Sequence, residues 1–139
     1  IMVIPDSSKK TRRYFEIARK CACNSTYGSI RHGAVLIKSG RIISISFNKE
    51  NFSSFGSRFR KPESGNATVH AEIGAILGVS RKHTSGANMY VVRVGKKGNF
   101  QMSKPCDMCQ QALRFVGVKK VFYTSRSGEF EMLKLNRRN

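Results

Sequence analysis

Apolar positions along the chain follow two periods, and the points where the period changes mark the elements. From Ser7-Ser8, which can cap a helix, to about Asn24, residues Tyr14, Ile17, Ala18 and Cys21 fall at i, i+3, i+4 and i+7, one helix face. The other face carries Lys9, Lys10, Arg12, Arg13, Arg19 and Lys20. Ala34 to Ile37 is a continuous apolar strand, Ser39-Gly40 a turn, and Arg41 to Phe47 a second strand, together a hairpin. Helical spacing returns over His70 to Leu77, with Gly78 near the stop, and Met89 to Val94 is a third strand. Pro105 can occupy the first turn of a third helix that runs to about Val116 and is stopped by Gly117. Val118 to Thr124 is a fourth strand, and after the turn signal Ser125 to Gly128, Glu129 to Leu135 alternates as a fifth.

The order α-β-β-α-β-α-β-β, led in by an extended segment at residues 1–6, predicts a single domain over residues 1–139. Strands apolar on both faces need helices on both sides of the sheet, so an α/β fold of three α/β/α layers around a five-stranded mixed sheet is expected. Fifteen residues follow Thr124. A parallel crossover takes roughly a dozen residues before its strand begins, so the fifth strand should run antiparallel to the fourth.

Charge adds what periodicity cannot. Lys+Arg number 26 against 8 Asp+Glu, a formal net charge of +18. Such an excess repels itself, and polyanion binding is the usual reason to keep it, so a nucleic-acid partner is favoured over a solvated face or a membrane surface. Residues 48–69 form a long polar connection in which Phe52, Phe55 and Phe59 are interleaved with Arg58, Arg60 and Lys61. Those phenylalanines either pack a short helix down or offer a stacking and phosphate-contact surface for a single strand, and the sequence leaves both readings open. No apolar run is long enough to span a bilayer. Four cysteines do not make a secreted disulfide scaffold, and Asp6, Lys9 and Lys10 interrupt the N-terminus before an apolar signal core forms. A reducing intracellular compartment, cytoplasm or nucleus, is expected, and self-association is left open.

The chemistry lies in two short motifs, His70-Ala71-Glu72 and Pro105-Cys106-Asp107-Met108-Cys109. A CxxC on the first helical turn sets two sulfurs on one face, and the helix N-terminus favours the thiolates that bind metal. His70, Cys106 and Cys109 then make a three-donor zinc set with a fourth position for water. Glu72 is placed to carry protons rather than to ligate. Cys21 and Cys23 sit on different faces of the first helix, and His32 and His83 are isolated, so no fourth protein ligand is evident. His-x-Glu followed by Pro-Cys-x-x-Cys is the signature of zinc nucleobase deaminases.

At these residues the chain resembles the cytidine deaminase superfamily. "HAEIGAI" at 70–76 and "SKPCDMCQQAL" at 103–113 are similar to its two zinc motifs, and "HGAVLIKSGRIISISFN" at 32–48 to the hairpin before them. The resemblance implies Zn2+ held by His70, Cys106 and Cys109, with Glu72 as proton shuttle. It also implies substrate contacts from Asn48, from the Ala71 amide and from the Ser103 backbone. "FNKEN" at 47–51 is similar to a sugar-binding motif of free cytidine deaminases, which would make Glu50 a ribose ligand. The antiparallel fifth strand resembles the branch holding the free-nucleoside enzymes, and differs from the tRNA adenosine and AID/APOBEC-like branch.

Substrate is where the signals divide. The charge, the Phe/Arg stretch and Lys96, Lys97 and Lys104 beside the pocket point to cytosine in single-stranded DNA or RNA, attacked at C4 by zinc hydroxide. The tail and FNKEN point to free cytidine or deoxycytidine. A non-catalytic zinc-stabilised nucleic-acid-binding module would explain the charge and leave Glu72 without a task.

Overall fold

The computed structural model describes residues 2–4, 9–25, 31–48 and 70–135. The elements are β1 (Met2–Ile4), α1 (Lys9–Ala22), β2 (Arg31–Lys38), β3 (Arg41–Phe47), α2 (Ala71–Ile76), α3 (Arg81–Thr84), β4 (Asn88–Val94), β5 (Phe100–Gln101), α4 (Asp107–Phe115), β6 (Lys120–Thr124) and β7 (Phe130–Lys134). They form one mixed sheet in the order β1-β7-β6-β4-β2-β3, with β5 paired to the end of β4. Among the described pairings, β4 with β6 alone is parallel, and α4 is their crossover.

Each interior strand divides its side chains between two cores. Ala34 and Leu36 of β2 and Met89 and Val91 of β4 face α2 and α4. Val35, Ile37, Tyr90, Val92 and Val94 face α1, where Phe15 stacks on Phe130 at 4.1 Å between ring centroids. This alternation explains why β2 and β4 read as continuous apolar runs: both faces are covered. α1 lies so close to β2 that a Cβ on Gly33 would stand 2.1 Å from the Ala18 carbonyl oxygen. Only glycine fits there.

All five expected strands are present, β6 and β7 pair antiparallel as expected, and helices cover both faces. The sheet is larger than expected, because the lead-in pairs with β7 as β1 and two residues after the β4 turn pair back as β5. One helical turn, α3, interrupts what read as a basic link. It is too short for a periodic signal, and it is held by the buried Thr84 hydroxyl, which donates to the Val116 carbonyl at 2.7 Å. Pro105 is not in the first helical turn: Cys106 is the N-cap of α4, with extended dihedrals, and the proline precedes it. The β2–β3 hairpin turns through Ser39 (φ 53°) and Gly40 (φ 76°), the pair of positive φ values that a tight two-residue hairpin needs. Its register then shifts between Leu36 and Ile37, leaving Ile43 as an extra, bulged residue. No helix among the described residues is long and apolar enough to cross a membrane.

Candidate active site

Two helices begin at the same end of the sheet, each with a potential metal donor at its N-cap. His70 caps α2 and Cys106 caps α4, while Cys109 follows on the first turn of α4. His70 Nδ1 lies 3.3 Å from Cys109 Sγ and 3.9 Å from Cys106 Sγ, and the three donor atoms all fall within 4.8 Å of one another. Tetrahedral zinc with ordinary Zn–S and Zn–N bonds needs such atoms about 3.6 to 3.8 Å apart. The residues therefore fit zinc in both chemistry and spacing, and no other such cluster occurs among the described residues.

The electrostatics match that donor set. The Cys106 thiol is lowered to about 4, chiefly because Cys109 hydrogen-bonds to it, with His70 adding to this against the cost of burial. The Cys109 thiol is raised, first by the same bond to Cys106 and then by its burial. His70 is raised through its bond to Cys106. The positive ends of the helix dipoles at both N-termini favour the anionic sulfurs.

Glu72 lies on the first turn of α2 and is 5% exposed. Burial raises its carboxyl above the usual range, and His70 opposes this. Cys109 borders the carboxyl as a hydrogen-bond partner, so the acid sits against the donor set. Ala71 is the first helical residue, so its amide has no acceptor within α2. The Ser103 amide donates to the Thr124 carbonyl, and its hydroxyl donates to the Val91 carbonyl at 2.9 Å. That ties the loop before Cys106 to the middle of β4 and to the end of β6.

Asn48 is buried just past β3. Its Oδ1 accepts the His32 amide at 2.9 Å and the Ser25 hydroxyl, and Ser25 Oγ also donates to the Asn48 carbonyl at 2.9 Å. His32 is not isolated, as its lone position in the sequence suggested. It faces Arg93 across the sheet, and its imidazole feels both His70 and Cys106. Burial, then Arg93 and His70, lowers it to about 4. No motif spacing marks His32; only the hairpin register brings it to this end.

Lys96 and Lys97 are exposed in the turn after β4, at the same end of the sheet, and Lys104 is exposed two residues before Cys106. Arg31 fixes that turn by donating to the Gly95 carbonyl at 2.7 Å. Glu50, Phe52, Phe55, Arg58, Phe59, Arg60 and Lys61 lie outside the described residues.

Residues 8–125 match the cytidine and deoxycytidylate deaminase zinc-binding region. The chain is 26% identical over 125 residues to the uncharacterized deaminase in the luxG 3′ region of Aliivibrio fischeri, covering 88% of this chain and 78% of that one. Its fold is similar to that of cytidine deaminase from Burkholderia pseudomallei, with a TM-score of 0.62 at 19% identity over 89% of this chain and 91% of that one. The dCMP deaminase from cyanophage S-TIM5 gives a TM-score of 0.55 at 20% identity, over 84% and 83% of the two chains. Because the matched stretch runs from the start of α1 to the end of β6 and takes in all three donors, the chain belongs to the zinc-binding cytidine and deoxycytidylate deaminase family.

Proposed function

We propose that the protein is a hydrolytic deaminase that converts cytosine to uracil in single-stranded DNA or RNA. The observation that carries the chemistry is the buried Glu72 beside His70, Cys106 and Cys109. Zinc on those three donors supplies the Lewis acidity that brings the pKa of a water to about 7. The Glu72 carboxylate accepts a proton from the attacking water and passes it to N3 of the base as the new C4–O bond forms. The remaining hydroxyl proton then moves by way of Glu72 to the exocyclic amine, the C4–N bond breaks, and ammonia leaves as C4–O becomes the carbonyl. The Ala71 amide and Ser103 carbonyl hold the edge of the base, and Asn48 holds the sugar.

The net charge of +18 supports the polymer as substrate, together with Lys96, Lys97 and Lys104 exposed around this end of the sheet. A flipped-out base costs least in a strand that is already single. A second reading, free cytidine or deoxycytidine, is favoured by the fixed Asn48 amide, which suits a single sugar as well as a sugar in a chain. Incubating the protein and Glu72→Ala with a single-stranded DNA oligonucleotide, a matching RNA and free cytidine decides between them. Uracil in either oligonucleotide, absent with Glu72→Ala, is expected; conversion of cytidine alone would move the assignment to the free nucleoside.

A further inference from the structure

The sheet has a second end, remote from the zinc donors, where β4 and β6 begin. There a cavity of about 480 Å³ opens between Ser85-Gly86, the start of β6 and the end of β7. Lys119, Lys120 and Lys134 line it, and Lys120 and Lys134 are direct cross-strand partners. Like charges so placed repel. A second hollow of about 190 Å³ is lined by Lys38, Arg41 and Lys82, with Lys38 Nζ donating to the Lys82 carbonyl at 2.6 Å. The two hollows share one edge, because Ile37 pairs with Asn88, and α3 leads from one hollow directly into the other.

Among the described residues no acid opposes the charge along this edge. The five acids among the described residues all lie elsewhere: Glu16 pairs with Arg19 on α1, Glu72 and Asp107 are at the zinc end, and Glu129 and Glu131 lie at the β6–β7 turn. From β7 to β3 the sheet crosses four strand spacings, about 19 Å. One small anion cannot span that distance. A strand several phosphates long can. We infer that this edge is a second nucleic-acid contact, in which the phosphodiester backbone runs across the strand ends from the Lys119/Lys120/Lys134 cavity to the Lys38/Arg41/Lys82 hollow. Lysines dominate it, and lysines act as point charges on phosphate, so the contact grips without reading sequence. The inference rests on the polynucleotide reading above for its purpose: it holds the strand whose cytosine is processed at the other end of the sheet.

The test uses zinc-loaded full chain and a fluorescent oligothymidylate, which offers no cytosine, with binding read by anisotropy over a range of salt. For K119Q/K120Q/K134Q the slope of log affinity against log salt should become shallower by about 2, three lost single-strand contacts at 0.7 each. K9Q/K10Q/K20Q, which removes the same charge from α1, should change it by less than half as much. Melting temperature and zinc content verify that both variants are folded. An unchanged slope in the first variant, or equal losses in the two, overturns the proposal, as does an equal effect of saturating inorganic phosphate on wild type and variant. Deamination of an oligonucleotide with the first variant's binding intact sinks this contact and spares the catalytic reading. The expected slope change without deamination of any polynucleotide does the reverse.

Discussion

Asn48 and His32 are bonded twice: Oδ1 of Asn48 accepts the His32 amide at 2.9 Å, and the Asn48 amide donates to the His32 carbonyl at 3.2 Å. The pairing depends on the bulge at Ile43. A hairpin counted back from Ser39-Gly40 without it would set Phe47 opposite His32; the extra residue brings Asn48 there instead. A change of one residue in a strand thus exchanges a ring for an amide at the zinc end of the sheet. Asn48→Ala should strand the His32 amide and cost about 1–3 kcal/mol of stability. Asn48→Asp keeps an acceptor for it and should melt closer to wild type, yet it removes the amide donors that the proposed mechanism assigns to the sugar. Turnover should fall in both. Full turnover by Asn48→Asp would mean that the amide takes no part in holding substrate.

Zinc removal should separate ligands from the proton carrier. With zinc at about a hundredfold its Kd the folded state gains about 2.7 kcal/mol, so chelation should lower the melting temperature by about 10 °C. Cys109→Ser should lose most of that chelator-sensitive shift, because it removes one of the three donors. Glu72→Ala should keep the shift and still lose about 10²- to 10⁴-fold in turnover, the usual contribution of a positioned acid–base. Differential scanning fluorimetry with and without chelator, beside an ammonia-release assay, reads both. A Glu72→Ala protein that no longer responds to chelator would make Glu72 a ligand.

The donors were legible because zinc demands residue types at short, fixed spacing, and His70-x-Glu72 with Cys106-x-x-Cys109 meets that demand within two local motifs. The strands were legible because burial on both faces writes itself as Val, Leu and Ile in unbroken runs over 34–37 and 89–94. His32 was not, since its place follows from a hairpin register that one bulged isoleucine resets, and bulges leave no periodic trace. The basic edge was also hidden. Lys38, Lys82, Lys119 and Lys134 are scattered in sequence, and only the sheet order brings them to one side.

Stability in mild acid should carry the mark of His32. Unfolded, its imidazole takes up a proton near pH 6.5; folded, burial followed by Arg93 and His70 keeps it neutral down to about 4. Between these values the unfolded chain binds more protons, so stability falls as pH falls. The contribution is complete above about pH 6.5 and is lost progressively toward pH 4, on the order of 3 kcal/mol in all. His32→Gln should therefore flatten the pH dependence in this window relative to wild type. Urea melts of both proteins at steps from neutral pH to pH 4 measure the difference. Parallel curves would show that the imidazole is solvated in the folded chain.

Gly33 tests how tightly α1 is seated on the sheet. Its Cβ would stand 2.1 Å from the Ala18 carbonyl oxygen and 2.8 Å from the Ala22 amide nitrogen, both backbone atoms of α1 that cannot rotate away. Gly33→Ala must therefore lift the C-terminal half of the helix from β2, opening the contact around Ala18 and Ala22. Overpacking of this kind costs about 1–3 kcal/mol where side chains can yield, and here they cannot, so a loss at or above about 3 kcal/mol is expected. A second change, Leu113→Ala in the opposite core, removes a fully buried side chain without touching α1 and should cost about 2–5 kcal/mol. Because the two sites lie on opposite faces of the sheet, their costs should add within about 0.5 kcal/mol. Chemical denaturation of the two single variants and the double variant measures this, and a strongly sub-additive result would show that α1 is already displaced in the Leu113 variant.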